Sequence, residues 1–377
     1  MQDKKMQRAE SIMFRERKVR ELMVDKKRLV EVPYTASLAH TMNALVANKV
    51  VAVPVAAPPG QWIGAGGSMI VESDKQTGAV RKHYIGMVTM LDIVAHIAGD
   101  DDGGRLYGGD GTEDLDQRMS VPVSSIIGHC FEGLSLWTLN PNTSVIESME
   151  VLSKGVHRAL VPMDSQMENV SPVGVELVES ASSYRMLTQM DVLRFMKEHS
   201  ADYELQSVLS RSVHQLAAIN HDVYAITDRT KLIDAIKCLK TAMLNAVPIV
   251  TSSDLVDQQD HNHLIHGRGR KLIGTFSATD LRGCYVATLK SWLGTSALAF
   301  TEEVGTSPLY SPSNNAAATW TRELVTCQAE SPLSEVIEKA VGKHVHRVWV
   351  VDEDGLLVGL VSLTDVIRVT RLSLISD

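Results

Sequence analysis

One seven-residue phrase occurs four times in this chain of 377 residues. Each copy has a first residue, usually Gly, then two residues that are apolar except for Thr275, then Ser or Thr, two further residues and Asp. A helix-like stretch follows each copy. Since a pattern that recurs at a long period marks repeated structural units, the sequence predicts four sister units. The copies are GMVTMLD at 86–92, RMLTQMD at 185–191, GTFSATD at 274–280 and GLVSLTD at 359–365.

A second recurring unit precedes each phrase, and it combines an amphipathic helix with an apolar strand. In the last copy Leu333, Val336, Ile337 and Ala340 have the i, i+3, i+4, i+7 spacing of one helical face. The apolar run that follows is typical of a buried strand. Each unit is therefore predicted to run strand, helix, strand, loop, strand, helix. The copies are SLAHTMNALVANKVVAVPV, SVIESMEVLSKGVHRALVPM, KLIDAIKCLKTAMLNAVPIV and PLSEVIEKAVGKHVHRVWVV.

This pattern resembles the CBS domain. Its most specific stretch is VHRVWVVDEDGLLVGLVSLTDVI at 345–367, and a second VHR stands at 156–158. The resemblance implies an α+β fold of four CBS repeats, each β-α-β-β-α, paired into two Bateman modules that form a disc. The expected segments are an N-terminal segment at 1–18, repeats at 19–98, 119–198, 205–292 and 297–372, and an acidic, glycine-rich linker at 99–118.

Four such copies in one acidic chain resemble the gamma regulatory subunit of AMP-activated and SNF-type protein kinases. The low-complexity loop insertions resemble the divergent plant gamma-like branch. The resemblance implies a non-catalytic regulatory subunit of a serine/threonine kinase complex, with catalytic and beta-type subunits as partners. It also implies adenine nucleotide (AMP, ADP or ATP) as a regulatory ligand between CBS repeats, and no cofactor. The alternative is a scaffold of the same fold that docks partners without nucleotide.

The repeated Ser/Thr-x-x-Asp has a structural and a functional interpretation, and both stay open at this point. It is a capping box, in which the hydroxyl caps the helix and the acid bonds the cap's own N–H. A helix start also suits an anion, and in the resembled family this Asp contacts a ribose. The resemblance therefore implies a ribose-binding set of Asp92, Asp191, Asp280 and Asp365, with Thr89, Ser277 and Ser362 beside them.

Two His-Arg pairs occupy the same point in repeats two and four, just before the buried strand. They are His157-Arg158 and His346-Arg347. An Arg fork matches phosphate oxygens two at a time, and His adds a donor. In the resembled subunits such pairs face nucleotide phosphates near the disc centre. The first pair is therefore expected to serve the site of Asp92, and the second the site of Asp280.

The phosphate site also departs from the resembled pattern. At the point of the His-Arg pairs, repeat one has Val50-Val51 and repeat three has Leu244-Asn245, so neither supplies a cation. Gamma subunits usually have an Arg in repeat one and a Lys before the repeat-two acid. Here those two positions are Val51 and Met190. The sequence thus puts nucleotide affinity, but not architecture, in question.

Composition excludes several other classes of protein. The net charge of -8 argues against a general nucleic-acid binder, which needs positive surface. Four cysteines without a C-x-x-C pair predict reduced thiols in the cytoplasm or nucleus, with no metal site. The uncharged stretch at 50–71 contains several Pro and Gly residues, which favours a strand and loop over a membrane helix. The chain contains no catalytic motif, so we expect that it is not an enzyme. We also expect no membrane partner.

Overall fold

The computed structural model describes residues 13–27, 29–57, 84–99, 112–130, 133, 136–163, 184–252, 262–306 and 323–376. Within these ranges the chain forms four small sheets, one for each repeated unit. Helices separate or follow the strands of every sheet, so the α+β fold is confirmed. None of the described helices is both long enough and apolar enough to cross a membrane.

The described residues contain thirteen strands and twelve α-helices. The strands are β1 Val32–Pro33, β2 Ala52–Ala56, β3 Tyr84–Thr89, β4 Trp137–Thr138, β5 Arg158–Pro162, β6 Tyr184–Thr188, β7 Tyr224–Thr227, β8 Ala246–Val250, β9 Ile265–His266, β10 Leu272–Ser277, β11 Thr326–Cys327, β12 Arg347–Val351 and β13 Leu357–Ser362. The helices are α1 Met13–Glu16, α2 Leu38–Ala47, α3 Met90–Ala98, α4 Thr112–Ser120, α5 Val145–Leu152, α6 Gln189–Glu198, α7 Tyr203–Leu209, α8 Leu232–Thr241, α9 Val286–Leu293, α10 Ala297–Thr306, α11 Leu333–Lys343 and α12 Leu363–Ser376. Short 3-10 helices cover Val19–Met23, Val123–Ile126 and Ala278–Gly283.

The four sheets share one topology. In each, a short first strand runs parallel to the second strand, and the third strand runs antiparallel to the second. A parallel pair needs a crossover connection, which an amphipathic helix supplies in every repeat, as α2 does between β1 and β2. Repeat three has β9 as an additional edge strand beside β7.

Contacts between sheets pair the repeats. Tyr84 of repeat one and Tyr184 of repeat two pack edge to face with ring centroids 5.6 Å apart. They belong to a buried cluster that joins the two sheets. An equivalent cluster joins repeats three and four, where Trp349 Nε1 donates to Thr275 Oγ1 at 2.7 Å. The pairs are therefore repeats one with two and three with four, which are the two expected modules.

Contacts between helices join the two modules. Helix α3 of repeat one packs against α8 of repeat three, and their apolar faces share one large buried core. Helices α11 and α12 of repeat four pack against α6 and α5 of repeat two around a second core. Each repeat thus contacts one neighbour through its sheet and another through its helices. This arrangement confirms the predicted disc.

The segment that leads into each repeat packs on the sister repeat of its module. Val19 N donates to Thr143 O of repeat two at 2.9 Å, and Val123 N donates to Ala36 O of repeat one at 2.7 Å. The second module has the same exchange. There, residues 211–214 bond to 329–333 of repeat four, and Ala297 N donates to Thr230 O of repeat three. This reciprocal exchange links the two repeats of a module beyond their sheet contact.

The exchange cuts across the predicted segments. Residues 19–23 and 297–306 were grouped with repeats one and four, but they pack in cores beside repeats two and three. Helix α4 covers the end of the predicted linker at 99–118, and residues 100–111 lie outside the described residues. Sequence repetition cannot show such an exchange. Each leading segment comes directly before its own repeat in the chain, but it packs against the sister repeat in space.

Candidate functional site

All four repeated phrases are capping boxes. In the first, Thr89 N and Thr89 Oγ1 donate to Asp92 Oδ2 at 2.7 and 2.6 Å, and Asp92 N donates to Thr89 Oγ1 at 3.1 Å. The spacing of hydroxyl and acid thus serves to start a helix directly from a strand. The other three boxes are formed by Thr188 with Asp191, Ser277 with Asp280, and Ser362 with Asp365.

The remaining oxygen of these carboxylates also has partners. Asp191 Oδ1 lies 2.6 Å from Lys26 Nζ and 3.4 Å from an Arg194 nitrogen. Asp365 Oδ1 accepts from Arg368 at 3.2 Å. Asp280 is buried beside Arg282, whose positive charge it stabilises. These acids thus serve their own helices and neighbouring cations.

Asp92 is the most enclosed of the four acids. It is completely buried, and its Oδ1 accepts from Cys130 N at 2.9 Å. Burial raises the pKa of this carboxyl, and hydrogen bonds from Thr89 and Cys130 oppose that rise. The chain around Cys130 covers Asp92, so both oxygens are used inside the protein. The contact of Asp92 with a ribose stays a prediction, and in this structure both of its carboxylate oxygens already accept hydrogen bonds from the protein.

A cavity of about 1080 Å³ lies where the four repeats meet, and we call it the central cavity. Its wall includes all four predicted phosphate-binding side chains, His157, Arg158, His346 and Arg347. The hydroxyl residues Thr89, Thr188, Ser277 and Ser362 also line it. The capping aspartates Asp92, Asp191, Asp280 and Asp365 are not among its lining residues. The structure thus brings the predicted cations and hydroxyls together and sets the predicted carboxylates behind them.

Strand register explains why the His-Arg pairs face this cavity. Arg158 is paired with Thr188 across β5 and β6, and Arg347 is paired with Ser362 across β12 and β13. Each pair therefore begins its strand opposite the capping hydroxyl of the same repeat. That geometry places the guanidinium groups at the edge where strands end and helices begin.

The same register corrects the sequence alignment by one residue. Ala52 is paired with Thr89 in repeat one, and Ala246 with Ser277 in repeat three. The positions equivalent to the His-Arg pairs are therefore 51–52 and 245–246, not 50–51 and 244–245. The conclusion that neither repeat supplies a cation at this point holds, because Val51-Ala52 and Asn245-Ala246 carry no charge.

Positive charge dominates the central cavity. Among the described residues, seven Lys and Arg line it, against the single carboxylate of Asp25. Sequence reasoning found two of these seven cations. Arg282 could have been found, because it follows Asp280 by two residues within the repeated unit, whereas Lys26 and Lys27 come from the leading segment and have no local signal. The seven are Lys26, Lys27, Lys49, Arg158, Arg194, Arg282 and Arg347.

The predicted phosphate-binding side chains form one electrostatic cluster. Burial and the neighbouring Arg158 lower the pKa of His346 to about 3, and burial and Arg347 lower that of His157 to about 4. Burial lowers the pKa of Arg347 to about 10. Arg347 also donates to Ala246 O of repeat three at 2.7 Å. The two His-Arg pairs thus lie together in the central cavity, and the assignment of one pair to the site of Asp92 and the other to the site of Asp280 stays a prediction.

Two guanidinium nitrogens in this cluster retain donor capacity. Within the described residues, Arg347 Nε and Arg282 Nε are buried and have no hydrogen-bond partner. Buried donors without an acceptor are costly, and an oxygen-rich anion in the cavity could accept from them. No group of three or more His, Cys, Asp or Glu side chains placed to hold a metal ion occurs within the described residues.

Comparison with known proteins identifies the family. Residues 321–371 match the CBS domain. Two Arabidopsis thaliana proteins, named SNF1-related protein kinase regulatory subunit gamma-like PV42a and PV42b, are 59% and 56% identical to the chain. The alignments cover 94% and 95% of this chain, and 95% and 96% of those proteins.

A solved structure supports the same fold. Protein MJ1225 from Methanocaldococcus jannaschii, described as an archaeal homologue of γ-AMPK, superimposes with a TM-score of 0.57. It is 17% identical, and the match covers 93% of this chain and 99% of that one. Together with the four capped repeats and their shared cavity, these relationships show that the chain belongs to the PV42 family of SNF1-related protein kinase regulatory subunit gamma-like proteins.

Proposed function

We propose that this protein is a non-catalytic regulatory subunit of a SNF1-related kinase complex and binds an adenine nucleotide with its phosphates in the central cavity. The names of PV42a and PV42b support the regulatory part of this proposal. Kinase catalytic and beta-type subunits are the corresponding partners. The charge of the cavity supports the nucleotide part.

One observation carries the nucleotide part. Seven Lys and Arg side chains converge on a cavity that has one carboxylate in its wall. Like charges held close together repel one another and lose hydration. An arrangement of this kind is favourable when an anion occupies the space between them, and guanidinium groups match phosphate oxygens in particular.

The position of the cavity offers a route to regulation. Its wall contains residues of all four repeats, so a bound anion contacts both modules at once. Such a ligand would favour the arrangement of modules that brings the cations closest to it. Regulation follows if the kinase partners also distinguish that arrangement, because coupling requires a difference in affinity between two states.

Thermal unfolding with AMP, ADP and ATP tests the nucleotide part. A ligand at 100 times its dissociation constant stabilises a protein by about 2.7 kcal/mol, and native mass spectrometry of the purified chain would count the bound molecules. Co-purification with SNF1-related catalytic and beta subunits tests the partner part. Absence of any shift at millimolar nucleotide rejects nucleotide binding, and failure to enter the kinase complex rejects the regulatory role.

A scaffold that docks partners without nucleotide is the second candidate. It is favoured by the capping aspartates, whose oxygens bond within the protein instead of facing the cavity. This candidate expects the chain to enter the kinase complex and to show no thermal shift with any nucleotide. The two measurements together therefore separate the two candidates.

A further inference from the structure

The central cavity has the groups to hold phosphates, but among the described residues its wall has no buried carboxylate to accept from a ribose. A ribose diol donates two hydrogens, and a carboxylate facing the ligand is the strongest acceptor for them. The capping carboxylates are instead bonded to their own helix starts, and Asp92 is completely buried. The one carboxylate in the wall is Asp25, which lies on an exposed segment.

The cations exceed what a single phosphate needs. Arg158 and Arg282 both line the cavity wall; burial lowers the pKa of Arg158 to about 10, and the nearby positive charge of Arg282 adds to that shift. His346 lies near both of them and near Arg347. Lys26 and Arg194 are held by Asp191 at the edge of the cavity. A ligand with several linked phosphates could contact the inner guanidinium groups and still reach these outer cations.

The volume of the central cavity is also large enough for a chain of phosphates, unlike that of a second, smaller cavity. A second cavity lies between the sheets of repeats three and four, but its volume of about 50 Å³ holds only a few water molecules. Trp349 lines this space and is bonded to Thr275. The central cavity, at about 1080 Å³, has volume enough for a triphosphate together with a base and a sugar.

We infer that the central cavity recognises a chain of two or more linked phosphates and is insensitive to the sugar. The shared chemistry is a polyphosphate, and its source is either a nucleoside triphosphate or inorganic triphosphate. This inference rests on the proposed function only where the polyphosphate is part of a nucleoside triphosphate. The cavity would thus respond to the number of phosphates and not to the identity of the nucleoside.

Calorimetric titration of the full chain at fixed ionic strength tests the inference. The ligands are inorganic triphosphate, ATP, 2′,3′-dideoxy-ATP, AMP and adenosine. We expect the first three to bind with affinities within about threefold of one another. AMP should bind at least about tenfold more weakly, since it lacks the charge-assisted bonds of the added phosphates. Raising the salt concentration should weaken binding of the phosphate-bearing ligands, because exposed charges such as Lys49 are screened.

Matched variants locate the site. Arg282→Gln and Arg347→Gln should each lower triphosphate affinity by about tenfold, since each removes a charged hydrogen bond. Arg368→Gln is the control, because Arg368 is an equally long, 40% exposed side chain outside the cavity wall. Ala52→Arg places a cation opposite Thr89, as Arg347 stands opposite Ser362, and should raise affinity. Ala52→Met, of similar bulk without charge, should not.

The outcomes separate this inference from the proposed function. AMP or adenosine binding as tightly as ATP overturns the inference and leaves nucleotide binding in place. Triphosphate binding without any nucleotide binding overturns the insensitivity to the nucleoside and also rejects the nucleotide part of the proposal. Binding of neither triphosphate nor nucleotide rejects both. Equal loss in Arg368→Gln and Arg347→Gln would also overturn the inference, because it would place the bound anion elsewhere.

Discussion

Repeats one and four have the same strand pairing at the central cavity, but repeat four places a cation there and repeat one places apolar side chains. Each has a capped helix after its third strand, and each pairs the first residue of its second strand with the capping hydroxyl. Repeat four presents His346 and Arg347 at that point, whereas repeat one presents Val51 and Ala52. The capping acid differs too. Asp365 is partly exposed and paired with Arg368, while Asp92 is completely buried beneath Cys130.

The difference shows which residues specify the fold and which specify the cavity. The capping box and the apolar faces recur in every repeat, so they are sufficient to form the backbone. The residue before the second strand and the first residue of that strand differ among the repeats, and in repeats one, two and four both of them line the cavity. Phosphate chemistry can thus be added to one repeat and omitted from another without altering the disc.

The largest effect that we expect from this comparison is at Asp92. Asp92→Ala leaves three buried donors, Thr89 N, Thr89 Oγ1 and Cys130 N, without their acceptor. Buried donors of this kind cost roughly 1–3 kcal/mol each, so we expect a loss of about 3 kcal/mol or more in the free energy of unfolding. Asp365→Ala is the matched variant and should lose only a partly exposed cap, about 1 kcal/mol.

Urea unfolding of the two variants measures this difference. Equal losses would mean that Asp92 and Asp365 have the same role, and the comparison of the two repeats would then be wrong. Asp92→Asn is a useful intermediate, since an amide oxygen in the place of Oδ2 can still accept from Thr89 N and Thr89 Oγ1. It should be less destabilised than Asp92→Ala.

The second effect is a loss of stability in acid that comes from repeats two and four. The pKa values of His157 and His346 are lowered from 6.5 to about 4 and about 3 by burial and nearby arginines. Between pH 6.5 and 4 the unfolded chain therefore binds more protons than the folded chain. Their contribution to stability is complete above pH 6.5 and is lost as the pH falls toward 4.

Replacement by the residue of repeat three tests this pH dependence. Asn245 stands at the equivalent position, so we compare the double variant His157→Asn, His346→Asn with the unchanged chain. The unchanged chain should lose about 1 kcal/mol per histidine between pH 6.5 and 5, reduced by water in the cavity. The double variant has neither histidine, so its free energy of unfolding should fall less over the same pH range, by this amount. His214→Asn, at an exposed histidine, is the control, and an identical effect there would contradict the assignment.

Sequence reasoning reached the parts of the molecule that local patterns determine. The recurring seven-residue phrase predicted the four units, and the Ser/Thr-x-x-Asp spacing predicted helix caps because three residues is the reach of a capping side chain. Recurrence of His-Arg at one point predicted Arg158 and Arg347, two of the seven cations of the central cavity. Each of these signals lies within one repeat.

The remaining features depend on residues that are distant in the chain. The burial of Asp92 depends on Cys130 N, which lies 38 residues further on in the leading segment of another repeat. The convergence of Lys26, Arg194 and Arg282 on one cavity depends on how four repeats assemble. The one-residue error in aligning Val51 depends on strand register, which a continuous apolar run does not specify.

The smallest effect concerns a backbone conformation that recurs three residues before each cavity position. Lys49, Met243 and His344 have φ values of 55°, 52° and 53°, and repeat two has Gly155 at φ 90°. Left-handed backbone costs a residue with a side chain roughly 1–2 kcal/mol, and part of the gain from glycine is offset by its greater entropy in the unfolded chain. Met243→Gly and His344→Gly should therefore each raise the free energy of unfolding by up to about 1 kcal/mol in urea.

The two variants should then differ in binding. His344 lines the central cavity, whereas Met243 is 43% exposed and is not among its lining residues. His344→Gly should lower triphosphate affinity, and Met243→Gly should leave it unchanged. Ala242→Gly, one residue earlier with φ -85°, controls for the glycine itself and should be slightly destabilising. If His344→Gly is stabilised and its triphosphate affinity is unaltered, His344 has no role in binding. The left-handed backbone at this point would then affect stability only.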